Sequence, residues 1–184
     1  LVVLTKSGCP PSYAQVYNAA LKREYTECDE WRVDALARIE QENPALVITT
    51  GRAYYNVMKD GKRLSQAESA PLLEEGYVSM LEDLLDRSDR VVVLRDNPKP
   101  GMDVADCVSA SLDRLTDCAA PREKALSFTP VGARAAEQVE DVELVDLTPV
   151  FCPEDTCPAV IGDVLVYRDH GHLTSTFAST LTGI

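Results

Sequence analysis

Basic residues are scarce in this chain: 18 Lys and Arg stand against 30 Asp and Glu, a formal net charge of -12. Nucleic-acid binding needs clustered Lys and Arg to neutralise phosphates, and no such cluster occurs. The same deficit weighs against simple electrostatic docking on anionic lipid, and its ordinary consequence is solubility. Long apolar runs are missing too, since none approaches the roughly 18 residues of a membrane span. There is no basic start followed by an apolar stretch and a small-residue cleavage site, so no signal peptide is legible. Histidine is confined to His170 and His172. Without an internal repeat, a low-complexity tract or a convincing boundary, residues 1–184 read as a single domain fragment, long enough for a full hydrophobic core. The chain opens on Leu1-Val2-Val3-Leu4-Thr5, which reads as a buried strand already under way. The expectation is a piece cut from a longer protein, and the missing leader then says little about location.

Six cysteines are present: Cys9, Cys28, Cys107, Cys118, Cys152 and Cys157. An even count beside prolines and loop residues points to disulfides and an oxidising compartment. Nearest-neighbour pairing is the simplest arrangement: Cys9–Cys28, Cys107–Cys118 and Cys152–Cys157. Each closes a short loop that stabilises by roughly 2–4 kcal/mol. Zinc is the weaker reading, because no Cys-x-x-Cys knuckles occur.

Apolar β-rich runs alternate with helical patterns. After Leu1–Thr5, strands are expected at 45–50, 90–94, 142–147 and 164–167. Helices are expected at 30–41 (Trp31, Ala35, Leu36 and Ile39 on one face), 71–86 (Leu73, Tyr77, Leu81, Leu84), 103–115 and 130–140, with a last one capped by Thr174. Near-continuous apolar strands separated by helices imply a mainly parallel sheet covered on both faces, a three-layer α/β/α fold. Working residues in such folds gather beyond the carboxyl ends of strands. Gly51-Arg52, Asp96-Asn97 and 169–172 all hold such places.

The most informative stretch is Tyr167-Arg168-Asp169-His170-Gly171-His172-Leu173-Thr174. Asp169 can hold the proton-bearing nitrogen of His172, leaving the other ring nitrogen to take a proton from a hydroxyl. Gly171 is expected to let the backbone turn sharply between them. The competing reading is a solvated loop histidine with the aspartate capping the following helix. His170 and His172, with Asp169 or Asp163, also form a thin metal-ligand set; no metal and no cofactor is assigned. A nucleophile is hard to find. Ser7 follows the first expected strand, but Pro10-Pro11 prevents the helix that should come next, and Ser175 and Ser179 fall on the terminal helix. At Gly51-Arg52 a backbone N–H can serve an oxyanion and Arg52 an acyl or sugar oxygen, against an ordinary turn with a surface arginine. Tyr54, Tyr55 and Trp31 suit stacking on a sugar or plain packing.

Three sets of blocks, in this order, carry a resemblance. They are Leu1 to Pro11; Cys28 before Trp31-Arg32, then Pro44 to Ile48; and Cys152 to Gly162, then Tyr167 to Thr174. Together they resemble the SGNH (GDSL-like) domain found fused to bacterial acyltransferase-3 membrane proteins. The resemblance implies a flavodoxin-like fold with Asp169 and His172 as acid and base. The family's Gly-Asp-Ser-His block, which carries the nucleophile, is absent here, so the implied domain is N-terminally truncated and inactive by itself. Its Gly-x-Asn-Asp block is unmatched where Thr50-Gly51-Arg52-Ala53-Tyr54 stands, which makes Arg52 the natural substitute to test. The implied activity is O-acylation, most often O-acetylation, of a cell-envelope or secreted glycan. The implied partners are an acyltransferase-3 membrane domain in the same polypeptide and a glycan acceptor. The implied location is extracytoplasmic, on an integral membrane protein. A carbohydrate esterase of the same fold and a non-catalytic glycan-binding or positioning module are the rivals.

Overall fold

Four residues, Val91–Leu94, hold the sheet of this protein together. In the computed structural model, which describes residues 1–182, this strand lies between Val47–Thr49 and Val142–Val145 and pairs in parallel with both. Val91 stands opposite Val47 on one side and Val142 on the other. Parallel neighbours need long crossovers, and helices supply them. In chain order the helices are α1 (Thr26–Glu42), α2 (Gln66–Leu85), α3 (Val104–Ala110), α4 (Arg122–Ala125), α5 (Val131–Ala136), α6 (Thr148–Phe151) and α7 (Ser175–Thr180); α2 lies between the first two sheet strands, and α3, α4 and α5 between the last two. The protein is therefore an α/β fold on a parallel sheet, the class its alternating apolar runs implied.

Three expected strands differ in their pairing or place in the sheet. Leu1–Thr5 forms no strand, and Val3 is 70% exposed. β-rich composition becomes a strand only through a hydrogen-bonded neighbour, and no ladder joins these residues to the sheet. The 45–50 run is shorter, at Val47–Thr49, and is an edge strand rather than a buried one, with Ile48 63% exposed. The face of Ile48 opens on an apolar groove of about 510 Å3 lined also by Leu4, Trp31, Ile39 and Leu46. The 164–167 run does not join the parallel sheet. Val164–Leu165 pairs antiparallel with Val160–Ile161 across Gly162-Asp163, Gly162 taking φ +60°. Gly-Asp between apolar pairs is a hairpin signal, and that turn chemistry prevails over the reading as a sheet strand.

Helix boundaries follow their caps. α2 starts ahead of Pro71 because Ser65 and Glu68 form a capping box, the Ser65 N–H donating to Glu68 Oε2 at 2.9 Å. α1 starts at Thr26, before the expected Glu30, and ends at Asn43, which takes the left-handed conformation (φ 42°) just before Pro44. α3 stops at Ala110, short of Leu115; the chain then makes a separate 3-10 turn at Leu115–Cys118.

Two compact units partition the chain: Leu1–Asp96 with Thr129–Val145, and Asn97–Phe128 with the stretch from Asp146 onward. The first packs Leu73, Tyr77, Leu81 and Leu84 of α2 against Val91, Val93, Val131 and Ala135. The second is built around Phe151, Tyr167 and Phe177, with the Phe151 ring 5.7 Å from that of Phe177 and 6.4 Å from that of Tyr167. Disulfides join Cys9 to Cys28 in the first unit, and Cys107 to Cys118 and Cys152 to Cys157 in the second. Small cores depend on such cross-links, because little apolar area is buried per residue.

Leu81→Ala is expected to cost about 2–5 kcal/mol, since its fully buried side chain leaves a cavity. Ile48→Ala, on the open edge, is expected to cost no more than about 0.5 kcal/mol. Chemical denaturation of the two variants checks the contrast, and equal losses would contradict the edge assignment.

Candidate functional site

The loop carrying Asp169 and His172 is closed from inside by its own backbone. Tyr167 bridges Leu173 in antiparallel fashion, and the Arg168 N–H donates to the His172 carbonyl at 2.9 Å. Behind it, Thr174 caps α7 by accepting the Phe177 N–H at 3.0 Å, while its hydroxyl donates to the Leu165 carbonyl at 2.6 Å. The cap of the terminal helix is thus Thr174, which leaves the Asp169 carboxylate to the loop.

That carboxylate organises the loop. Asp169 Oδ1 accepts the N–H groups of Gly171 (2.9 Å) and His172 (2.8 Å), and Oδ2 lies 2.8 Å from His172 Nδ1. An ionised carboxylate only accepts, so this contact assigns the proton to Nδ1 and leaves the lone pair on Nε2. The two backbone N–H groups, foremost that of His172, hold the Asp169 carboxyl well below the usual aspartate range, and the imidazole adds to the effect. The His172 side chain is 74% exposed, so the imidazole faces solvent while its Nδ1 is held. Chemically, this is a carboxylate-oriented imidazole able to take a proton at Nε2.

The loop is also held from outside. Asn97 Nδ2 donates to the Gly171 carbonyl at 2.9 Å. The Lys99 stem lies against Gly171, its Cδ 3.1 Å from where a Cβ would sit. The chain bends between Asp169 and His172 as expected, but Gly171 has no left-handed φ, and a Cβ there would press only on the flexible Lys99 stem. His170 turns to Asp103, 3.6 Å away, so the two imidazoles face different carboxylates.

Gly51 and Arg52 lie in the first unit, beyond the carboxyl end of Val47–Thr49. Thr50 Oγ1 donates to the Leu94 carbonyl (2.9 Å), and Asp96 Oδ2 accepts the Ala53 N–H (2.8 Å), tying this turn to the end of the central strand. The Arg52 guanidinium stacks over the rings of Tyr54 (5.4 Å) and Tyr55 (4.7 Å). Burial pushes the Tyr55 hydroxyl pKa up, against the lowering effect of Arg52. Trp31 stands elsewhere, on the apolar groove beside α1. Ser7 sits in a turn with Gly8 at φ +71°, and no helix starts there; Ser175 and Ser179 are on α7.

Sequence reasoning missed Tyr77, placed only on the apolar face of α2. Its hydroxyl is buried without a hydrogen-bond partner among the described residues, and burial raises its pKa far above the ordinary value. A Cβ on Gly51 would sit 2.3 Å from that hydroxyl and 3.0 Å from Pro11 Cδ. No local pattern around Gly51 announces this contact. Asn97 was placed only beyond the carboxyl end of a strand and Asp103 only at a helix start; the contacts they make across the sequence left no local signal.

Gly51→Ala is expected to lose about 1–3 kcal/mol through overpacking on Tyr77. Adding Tyr77→Phe is expected to recover most of that loss, because the clashing oxygen is gone. A double-mutant cycle by thermal unfolding reads the coupling, and additive effects would contradict the contact. For Asp169, a carboxyl pKa depressed in the folded state stabilises the fold above the ordinary aspartate range, and that stability is lost as pH falls through the depressed value. A carboxyl 13C titration is expected to show Asp169 still ionised at about pH 3, below its ordinary midpoint of about 3.9. Titration at the ordinary value would show that the two N–H bonds are not formed in solution.

A family model described as the SGNH domain (fused to AT3 domains) matches residues 1–184. Among solved structures, the fold is similar to the periplasmic domain of lipopolysaccharide acetyltransferase from Salmonella ser. Paratyphi A, with a TM-score of 0.61 and 14% identity. The match covers 92% of this chain and 64% of that domain's chain, and at such identity the likeness is one of fold. No curated protein matches the chain. With the family model spanning every residue, this α/β chain with its Asp169–His172 pair belongs to the SGNH domain family, of the kind fused to AT3 domains.

Proposed function

We propose that this chain supplies the acid–base half of an extracytoplasmic O-acyltransferase that passes an acyl group, acetyl above all, to a hydroxyl of a cell-envelope or secreted glycan. The observation carrying the reading is the 2.8 Å contact between Asp169 Oδ2 and His172 Nδ1, which leaves Nε2 as the proton acceptor. No serine among the described residues pairs with it, so the nucleophile is a serine hydroxyl from elsewhere in the parent polypeptide.

In the first half-reaction, His172 Nε2 takes the serine proton as the serine oxygen attacks the acyl carbonyl. The imidazolium returns that proton to the departing donor group, leaving a serine ester. In the second, Nε2 takes the proton of the sugar hydroxyl, whose oxygen attacks the ester, and the serine leaves with the proton. Asp169 stays ionised throughout and stabilises the imidazolium. The turn at Gly51-Arg52 is the candidate for oxyanion or substrate contacts, with the stacked Arg52 guanidinium offered to an acyl or sugar oxygen.

The family's fusion to AT3 domains supports a membrane partner in the same polypeptide that delivers the acyl group. Three disulfides support an oxidising compartment, as does the likeness to a periplasmic domain. An esterase of the same fold would use the same pair with water in place of the sugar hydroxyl.

In the parent polypeptide, His172→Ala is expected to lower glycan acylation by about 10^3-fold or more while the thermal midpoint stays put. Mass spectrometry of the glycan measures the transfer. Transfer at the wild-type rate would remove His172 from the chemistry, and a wild-type protein that hydrolyses the ester to water with no acyl group reaching the glycan would favour the esterase.

A further inference from the structure

We propose that Asn97 is a positioning residue for the His172 imidazole, acting through the peptide plane that precedes it; this rests on the acid–base reading of His172. The Gly171 carbonyl and the His172 N–H belong to one rigid plane. Asn97 Nδ2 holds its oxygen at 2.9 Å, and Asp169 Oδ1 holds its N–H at 2.8 Å. On the other side of the residue, the His172 carbonyl accepts the Arg168 N–H at 2.9 Å. The backbone on both sides of His172 is therefore fixed, and with it the direction in which the side chain leaves the chain.

Of these three clamps, Asn97 alone comes from outside the loop. Asp169 and Arg168 move with His172, whereas Asn97 is separated from Gly171 by 74 positions. Its own support is stiff. Pro98 and Pro100 are buried on either side of Lys99, whose N–H donates to the Ala125 carbonyl at the end of α4 (2.8 Å). A residue before proline is confined to extended backbone, which limits Asn97 further. The amide has two N–H donors, so its second contact, to the Pro98 carbonyl at 3.3 Å, does not compete with the clamp. Without Asn97 the loop still has its internal partners, the Lys99 stem and Asp103, but the His172 peptide plane loses a hydrogen bond from outside the loop, and the Asp169 bonds to the His172 N–H and Nδ1 loosen with it. Misplacement of a catalytic group by about 1 Å is enough to cost on the order of 10^2-fold in rate.

The test uses two variants and two independent readings. Asn97→Asp keeps the shape and removes the donor at neutral pH; Asn97→Ala removes both. In the 184-residue chain, 15N spectra of the histidine ring are expected to show His172 as the Nδ1–H tautomer. Both variants are expected to move its signals toward a mixture of tautomers, with faster exchange of the His172 amide. In the parent polypeptide, both are expected to lower kcat by roughly 10- to 100-fold with KM unchanged, the pattern of a misplaced group. Wild-type ring signals and kcat in both variants would overturn the proposal. So would loss of the dispersed Phe151, Tyr167 and Phe177 resonances in both, which would make Asn97 a folding residue. The ring spectra do not depend on acyl transfer. If His172→Ala proves silent in the transfer assay while the spectra shift, the acid–base reading fails and the clamp stands.

Discussion

The Asp169 carboxylate is the constraint on which the site depends. One side chain holds two backbone N–H groups and one imidazole N–H, and each bond restricts a different part of the loop. The bonds to Gly171 and His172 bend the chain back over the carboxylate, and that bend brings Nδ1 within reach. The same bonds keep the carboxyl ionised, because each stabilises its charged form. Shape and charge in this loop therefore have a common cause.

The scaffold around the loop is short of regular structure. Its unit relies on an aromatic cluster, a two-residue hairpin and two disulfides rather than on a broad sheet. The Cys152–Cys157 bond closes the segment just before the hairpin, and the Arg122 guanidinium donates to the Cys152 carbonyl from α4. In such a setting each local bond carries a large share of the order. The other unit works by the opposite means: α2 buries one face on a central strand, and the Gly51 turn is shaped by a tyrosine hydroxyl pressed against a glycine with no room for a side chain.

Much of this was legible residue by residue. The valines of 91–93 announced the central strand, Leu73, Tyr77, Leu81 and Leu84 announced the buried face of α2, and Thr174 announced its cap. The Asp-x-x-His spacing announced a carboxylate near an imidazole. Other readings failed for definable reasons. Ile48 and Leu4 have the composition of core strand residues, but composition does not say which strand is at the edge or whether a neighbour is present. Val164–Leu165 looked like a sheet strand because its apolar run was read without the Gly162-Asp163 turn before it. Gly171 was expected to let the chain turn sharply; the chain does bend there, but the Asp169 bonds hold the bend without a left-handed φ.

The sequence by itself determined whatever depends on near neighbours along the chain: the Thr174 cap, the cysteine pairs separated by 19, 11 and 5 positions, and the Asp169 loop closed within three residues. Short loops cost little entropy to close, so their partners are fixed by residue type and spacing alone. Only the tertiary structure decided that Asn97 reaches Gly171 across 74 positions, that Tyr77 fills the space beside Gly51, and that Val47–Thr49 stands at the edge. Those contacts depend on how packed elements meet, and elements meet through the burial of whole faces, which no single residue or local spacing encodes.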